Sequence, residues 1–167
     1  MLLKMKNTLS WGFNSSKSSQ SGFTLIETLL VMGILTLLLA IAIVAINPAR
    51  QFALANNTKR SSDVSSILNA IQQYMVDNLG NMPVGMPAGG AGTRIIASGV
   101  GNADLCNSLV TKYLAALPAD PSATNSAPII NCSLYNTGYV ASVSASDNRI
   151  TISAPNAQLS ISIAATR

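Results

Sequence analysis

The chain has 167 residues, of which 49% are hydrophobic and 10% charged, with two cysteines, no histidine and a formal net charge of +4. Soluble chains carry about a quarter of their residues as charges, so this composition points to one domain joined to a strongly apolar segment and excludes the disordered class. Without histidine, Ser-His-Asp and Cys-His mechanisms are excluded and the commonest metal ligand is missing, so a protein that is not an enzyme and needs no cofactor is the starting expectation.

The first 22 residues carry Lys4, Lys6 and Lys17 and no acid, giving +3; residues 23–167 carry seven bases against six acids, giving +1. The basic character therefore belongs mainly to the amino-terminal segment, and the remainder lacks the dense cations that phosphate-backbone recognition needs. No nucleic-acid partner is implied.

Residues 29–46, LLVMGILTLLLAIAIVAI, contain no charge. As a helix they extend about 27 Å, near the lower limit of a bilayer span. Extension back to Phe23 makes the span comfortable apart from Glu27, the single glutamate of the chain. A buried core helix is the weaker reading, because too little chain remains to cover such a run on all sides. A secretory signal peptide is the stronger rival, with Lys4 and Lys6 as its basic start and Ala40-Ile41-Ala42 or Ala53-Leu54-Ala55 as a small-residue cleavage site. Against it, the polar stretch Asn14 to Ser21 separates the cations from the apolar run, and an acid opens that run.

Asn47-Pro48 permits two readings. Proline inside a continuous helix loses its hydrogen bond to the carbonyl of Val44 and kinks the rod. Alternatively, Asn47 caps a new helix whose first residue is Pro48. From Ala49 to Leu79 an amphipathic pattern follows, with Val64, Ile67, Leu68, Ile71, Tyr74 (or Met75) and Leu79 at three- and four-residue spacing. Gly80 occupies the expected left-handed cap. The expectation is a helix of about 57 residues and about 85 Å, apolar all round over 23–46 and one-sided over 47–79.

Residues 80–133 read as a variable, glycine- and proline-rich loop holding an extended piece at Arg94 to Ala97 and a short helix over 105–117, capped by Asp104 and ended by Pro118. Over 134–167 the period changes to two. Strands are expected at Tyr139 to Ser144, around Ile150 and Ile152, and from Leu159 to Ile163, with turns at Asp147-Asn148 and Pro155-Asn156. The predicted fold class is α+β: a long amino-terminal helix whose second half packs on an antiparallel meander of three or four strands, greasy on one face and rich in serine and threonine on the other.

Ser21-Gly22-Phe23-Thr24-Leu25-Ile26-Glu27, followed by the apolar run, resembles the processing site of type IV prepilins and the related pseudopilins. The resemblance is specific over residues 17–46, looser over Ala49 to Leu79, and architectural only in the carboxy-terminal third. It implies that a prepilin peptidase removes a leader, residues 1–22, by cutting between Gly22 and Phe23, and that Phe23 is then N-methylated. It implies that Glu27 neutralises the amine of a neighbouring subunit during assembly. A carboxylate at the edge of a membrane helix needs such a partner, since at the bilayer centre it costs roughly 2.5–3.5 kcal/mol. The alternative is a carboxylate hydrated at the interface. The family reading further implies a single-pass protein of the cytoplasmic membrane, handed by an assembly machinery of the inner membrane to an extracellular homo-oligomeric filament. Gly33 and Pro48 are candidate points of bending, although they depart from the family's commonest glycine and proline placement.

Arg50, Lys59 and Arg60 are expected either to meet anionic headgroups and acids of neighbouring subunits, or to form a solvated face with a weak Lys59 to Asp63 pair. Cys106 and Cys132 would lie outside the cytoplasmic membrane, where a disulfide persists; two free thiols are the alternative. Leu117-Pro118-Ala119-Asp120-Pro121 is similar to a loop that holds calcium in some pilins. With Asp120 as its one obvious ligand it reads as a turn, and no metal is expected.

The functional expectation is a type IV pilus subunit serving adhesion, twitching motility or DNA uptake. The rival within the class is a pseudopilin of a type II secretion or competence system; the rival outside it is an extracytoplasmic binding domain on a simple signal anchor.

Overall fold

The computed structural model describes residues 22–167. The expected leader, apart from Gly22, lies outside the described residues. The chain divides into two compact units with their boundary between Ala45 and Ile46, and each has its own physical logic.

The first unit is dominated by helix α1, Leu25–Ile46, none of whose side chains is buried. Thr24 opens it: its hydroxyl oxygen accepts from the Glu27 N–H at 3.3 Å, which satisfies one of the donors orphaned at a helix start. The helix is unbroken through Gly33, whose carbonyl accepts from the Thr36 hydroxyl at 2.9 Å.

The second unit begins with helix α2, Pro48–Asp77. The single helix expected over 23–79 is therefore two, as the capping reading of Asn47-Pro48 requires. Asn47 has left-handed backbone torsions (φ 50), and its side chain accepts from the Arg50 N–H at 3.3 Å. Pro48 sits at the first position, where its missing N–H removes no helical bond. At the other end the Gly80 N–H (φ 87) reaches the Met75 carbonyl at 2.8 Å, while Leu79 adopts φ 55. This is the longer of the two bonds in a Schellman-type termination. It puts Leu79 in the cap position expected for Gly80 and Gly80 one residue beyond it.

One stripe of α2 is buried: Asn57, Arg60, Val64, Ile67, Leu68, Ala70 and Ile71. It packs on a sheet of four antiparallel strands in sequential order, β1 (Arg94–Ala97), β2 (Asn136–Val143), β3 (Ile150–Ser153) and β4 (Ala164–Thr166). Alternation along β2 and β3 turns Thr137, Tyr139, Ala141, Val143, Ile150 and Ile152 inward. On the other face Thr151 and Thr166 share a hydroxyl contact of 2.8 Å. Ile67, Ile71, Ile96, Leu105, Leu109, Leu117 and Ile152 are fully buried, each contributing about 1.5–3 kcal/mol of apolar burial.

Three expectations are corrected. The helix predicted over 105–117 is a single turn, α3 (Cys106–Leu109), and Asp104 does not cap it; its carboxylate accepts from the Tyr135 hydroxyl at 2.7 Å instead. Beyond α3 the chain turns through Thr111 (φ 73), and Leu117 pairs in both directions with the backbone of Ile129 at 2.9 and 2.8 Å. The strand predicted from Leu159 to Ile163 is displaced to β4. The cause lies in α2: the Asn57 amide donates to the Gln158 carbonyl at 2.8 Å and its oxygen accepts from the Gln158 N–H at 2.9 Å. With the Gln158 backbone taken by a side chain, Leu159 and Ser160 turn through φ 61 and 55, and pairing resumes at Ala164.

Candidate functional site

Gly22 is exposed, and no atom lies within 4 Å of the position a Cβ would take there. Phe23 is 82% exposed. The peptide between them thus stands clear of the rest of the described chain, immediately before the Thr24 cap. Glu27 lies in the first turn of α1, where an acid complements the partial positive charge of the amide ends. It is exposed and forms no ion pair among the described residues. Phe23 precedes the Thr24 cap and stands four residues before Glu27 in the chain. Behind Glu27, Leu29, Leu30, Ile34, Leu37, Leu38 and Ile41 are all more than half exposed. Such a surface is stable only against lipid or against other apolar helices. Length and composition suffice for a bilayer crossing.

Residues 17–43 carry the prokaryotic N-terminal methylation motif. No curated protein and no solved structure matches the chain. The methylation motif and the apolar helix together are consistent with the leader of a type IV prepilin-like protein, and they support a pilin-like or pseudopilin precursor and anchoring in a membrane. The motif spans the Gly22–Phe23 peptide, Glu27 and most of α1, so the match ends before the second unit begins.

The basic cluster after α1 separates into three fates. Arg50 is exposed. Lys59 pairs with Asp63 at 3.2 Å, as its spacing predicts, and also donates to the Ala119 carbonyl at 3.1 Å. Arg60 is neither a headgroup contact nor part of a solvated face, because it is fully buried. Its Nε and one terminal nitrogen grip the two oxygens of Asp120 at 2.8 and 3.0 Å, the other terminal nitrogen reaches Asn57 Oδ1 at 3.0 Å, and Ser122 accepts a further bond. Hydrogen bonding to Asp120 holds the Arg60 guanidinium above its ordinary value, against the opposing effect of burial. Burial works against the ionised Asp120, but the bonds from Arg60 and Ser122 outweigh it and hold its carboxyl below the usual range. The turn expected at Leu117 to Pro121 thus closes on a guanidinium.

The identity of Arg60's partner left no trace in the sequence, because Asp120 lies 60 residues away. Arg60 falls on the buried stripe at the right spacing, three residues from Asn57 and four from Val64, which was the available signal. The Thr24-x-x-Glu27 spacing was similarly available as the signature of a capped helix start.

Cys106 and Cys132 form a disulfide with a Cα separation of 5.4 Å. It ties the turn of α3 to the segment that leads into β2. Two buried tyrosines complete the polar framework: Tyr135 donates to Asp104, and Tyr139 donates to Asp63 at 2.7 Å. Burial, and then the carboxylate each one faces, push both hydroxyls well above the ordinary tyrosine value.

Proposed function

We propose that the chain is the precursor of a type IV pilus subunit. A prepilin peptidase cuts between Gly22 and Phe23, the new amine of Phe23 is N-methylated, and the mature subunit rests in the cytoplasmic membrane through α1 until the inner-membrane machinery assembles it. In the filament α1 leaves lipid for a bundle of α1 helices from other copies, which satisfies the same apolar surface. Repetition of one heterologous contact without closure gives a fibre rather than a ring. Glu27, as the acid beside that surface, takes the amine of a neighbouring subunit as its counter-ion. The extracellular filament would then serve adhesion, twitching motility or DNA uptake.

The observation that supports this reading is the conjunction in one segment of an accessible Gly22–Phe23 peptide, one carboxylate in the first turn of the helix that follows, and a helix with no buried residue. Intact-mass analysis of the protein from cells tests the processing step. A chain beginning at Phe23 and carrying one added methyl group is expected; a chain retaining Met1 would favour a simple signal anchor. Immunogold labelling then separates a pilus subunit, found along surface filaments, from a pseudopilin, whose loss blocks protein secretion without removing any fibre.

A further inference from the structure

The segment from Ala123 to Asn136 and the turn at Asn156 enclose an open groove of about 720 Å³, within the usual range of roughly 300–1,000 Å³ for small-molecule sites. Its chemistry is selective. None of its lining residues carries a charge, and its one ionisable group, the Tyr135 hydroxyl, is engaged with Asp104 and the Cys106 N–H. Its polar groups are mainly carboxamides, those of Asn125, Asn131, Asn136 and Asn156, all on exposed residues.

Two of these amides are fixed in place. Asn131 Oδ1 accepts from the Ser133 N–H at 3.0 Å, and Asn136 Oδ1 accepts from the Gly138 N–H at 2.9 Å. Each oxygen is occupied by the chain's own backbone, and neither Nδ2 donates to any acceptor among the described residues. Beside them Ile130 and Leu134 stand 73% and 89% exposed. The groove is therefore lined by carboxamides with uncommitted N–H donors beside apolar side chains, without a counter-charge.

This combination narrows the class of ligand. A charged ligand would lose hydration with no opposite charge to replace it, and a wholly apolar one would strip water from the amides without hydrogen bonds in return. A sugar ring presents hydroxyl acceptors at its edge and an apolar C–H face, and so matches both elements. We propose that the groove is a binding site for a neutral saccharide, held by the Asn131 and Asn136 amides and by the exposed side chains of Ile130 and Leu134. This does not depend on whether the subunit assembles.

The test is an amide NMR titration of the full mature chain, in a zwitterionic detergent free of sugar, with lactose and cellobiose and with a sialylated trisaccharide for comparison. Saturable shifts at the Asn131 and Asn136 side-chain amides are expected with at least one neutral disaccharide, and weaker ones with the charged sugar. Asn131→Asp with Asn136→Asp keeps the oxygen that each turn requires while removing the donor. That double variant should lose about tenfold or more in affinity, the worth of two hydrogen bonds, with the spectrum of the free protein otherwise preserved. Leu134→Ala, at a position with no burial to lose, should weaken binding independently. Absence of saturable shifts up to the solubility limit of both disaccharides overturns the proposal. So do shifts that the double variant leaves unchanged, a preference for the charged sugar, or shifts that depend only on protein concentration, which would assign the groove to a second copy.

Discussion

Arg60 and Asp120 lie 60 residues apart in the chain and meet through two parallel hydrogen bonds, Nε to Oδ2 at 2.8 Å and a terminal nitrogen to Oδ1 at 3.0 Å, with both side chains fully buried. The geometry leaves no loose ends: Asn57 and Ser122 take further donors of the guanidinium, and the Ser122 N–H donates to Asp120 at 2.7 Å. Among the described residues, no buried side-chain polar atom lacks a partner. The pair fastens α2 to the turn that follows Leu117, and the Asp120 N–H carries the link to β2 by donating to Thr137 at 2.8 Å.

Breaking that pair from one side should be costly. Arg60→Met leaves a buried, uncompensated carboxylate and should destabilise the second unit by about 3–5 kcal/mol, whereas Arg60→Met with Asp120→Leu should recover much of the loss. Urea unfolding of the mature chain in detergent, followed by near-ultraviolet circular dichroism, measures both. Equal loss in the single and double variants would show that the ionic contact is not the source.

The acid limb of stability follows from the same pair. Asp120 has a depressed value in the folded state, so its contribution is complete above the unfolded carboxyl value of about 4 and is lost as pH falls through the lower folded value. The melting temperature should therefore fall below about pH 4, and the fall should be shallower in the Arg60→Met, Asp120→Leu double variant. Tyr139 behaves in the opposite sense. Its folded value is raised, so its contribution is complete below the unfolded tyrosine value of about 10 and is lost as pH rises above it. Tyr139→Phe should flatten the alkaline limb, and a thermal melt series across pH reads both limbs.

Gly138 is required by close approach as well as by torsion. It adopts φ +77, and a Cβ there would lie 2.9 Å from the Cβ of Asp120. Gly138→Ala should cost at least about 1 kcal/mol from the strained backbone alone, with the collision added. A glycine whose added Cβ meets nothing, such as Gly92 (φ +83), supplies the control: Gly92→Ala should cost only the backbone part. Equal midpoints for the two variants would mean that the Asp120 turn yields without penalty.

Reduction isolates the contribution of the cystine. The bridge spans 26 residues of sequence, for which chain entropy gives about 3–4 kcal/mol. Cys106→Ser with Cys132→Ser should lower the unfolding midpoint accordingly, and a reductant should affect the wild type but not the double variant.

The proposed processing and assembly roles separate in two variants. Gly22→Leu should leave a longer, unmethylated chain in the membrane fraction. Glu27→Ala should be cut at the same peptide, since the Glu27 N–H bond to Thr24 comes from the main chain and survives, yet fail to enter filaments. Mass analysis and electron microscopy distinguish them; normal filaments from Glu27→Ala would remove the carboxylate from assembly.

Most of this organisation is local and therefore written along the chain. An apolar run without a charge specifies α1, because no arrangement of so few remaining residues can cover it. The three- and four-residue spacing from Val64 to Ile71 specifies the inner face of α2, and Asn47-Pro48 carries the chemistry of a helix start. The alternation at Ile150 and Ile152 marks β3. These signals need only the period of the backbone and the preferences of the residues at its ends.

What the tertiary structure decided lies where a backbone or a charge took a partner distant in sequence. Asn57 captures the backbone at Gln158 and so moves the last strand from Leu159–Ile163 to Ala164–Thr166. Leu117 pairs with Ile129, so the helix expected over 105–117 gives way to one turn. Arg60 reads in the sequence as one of three surface cations, yet Asp120 draws it fully inside. Periodicity records which face of an element is apolar, but a buried polar group is stable only when its partner is present, and the fold alone brings that partner within reach.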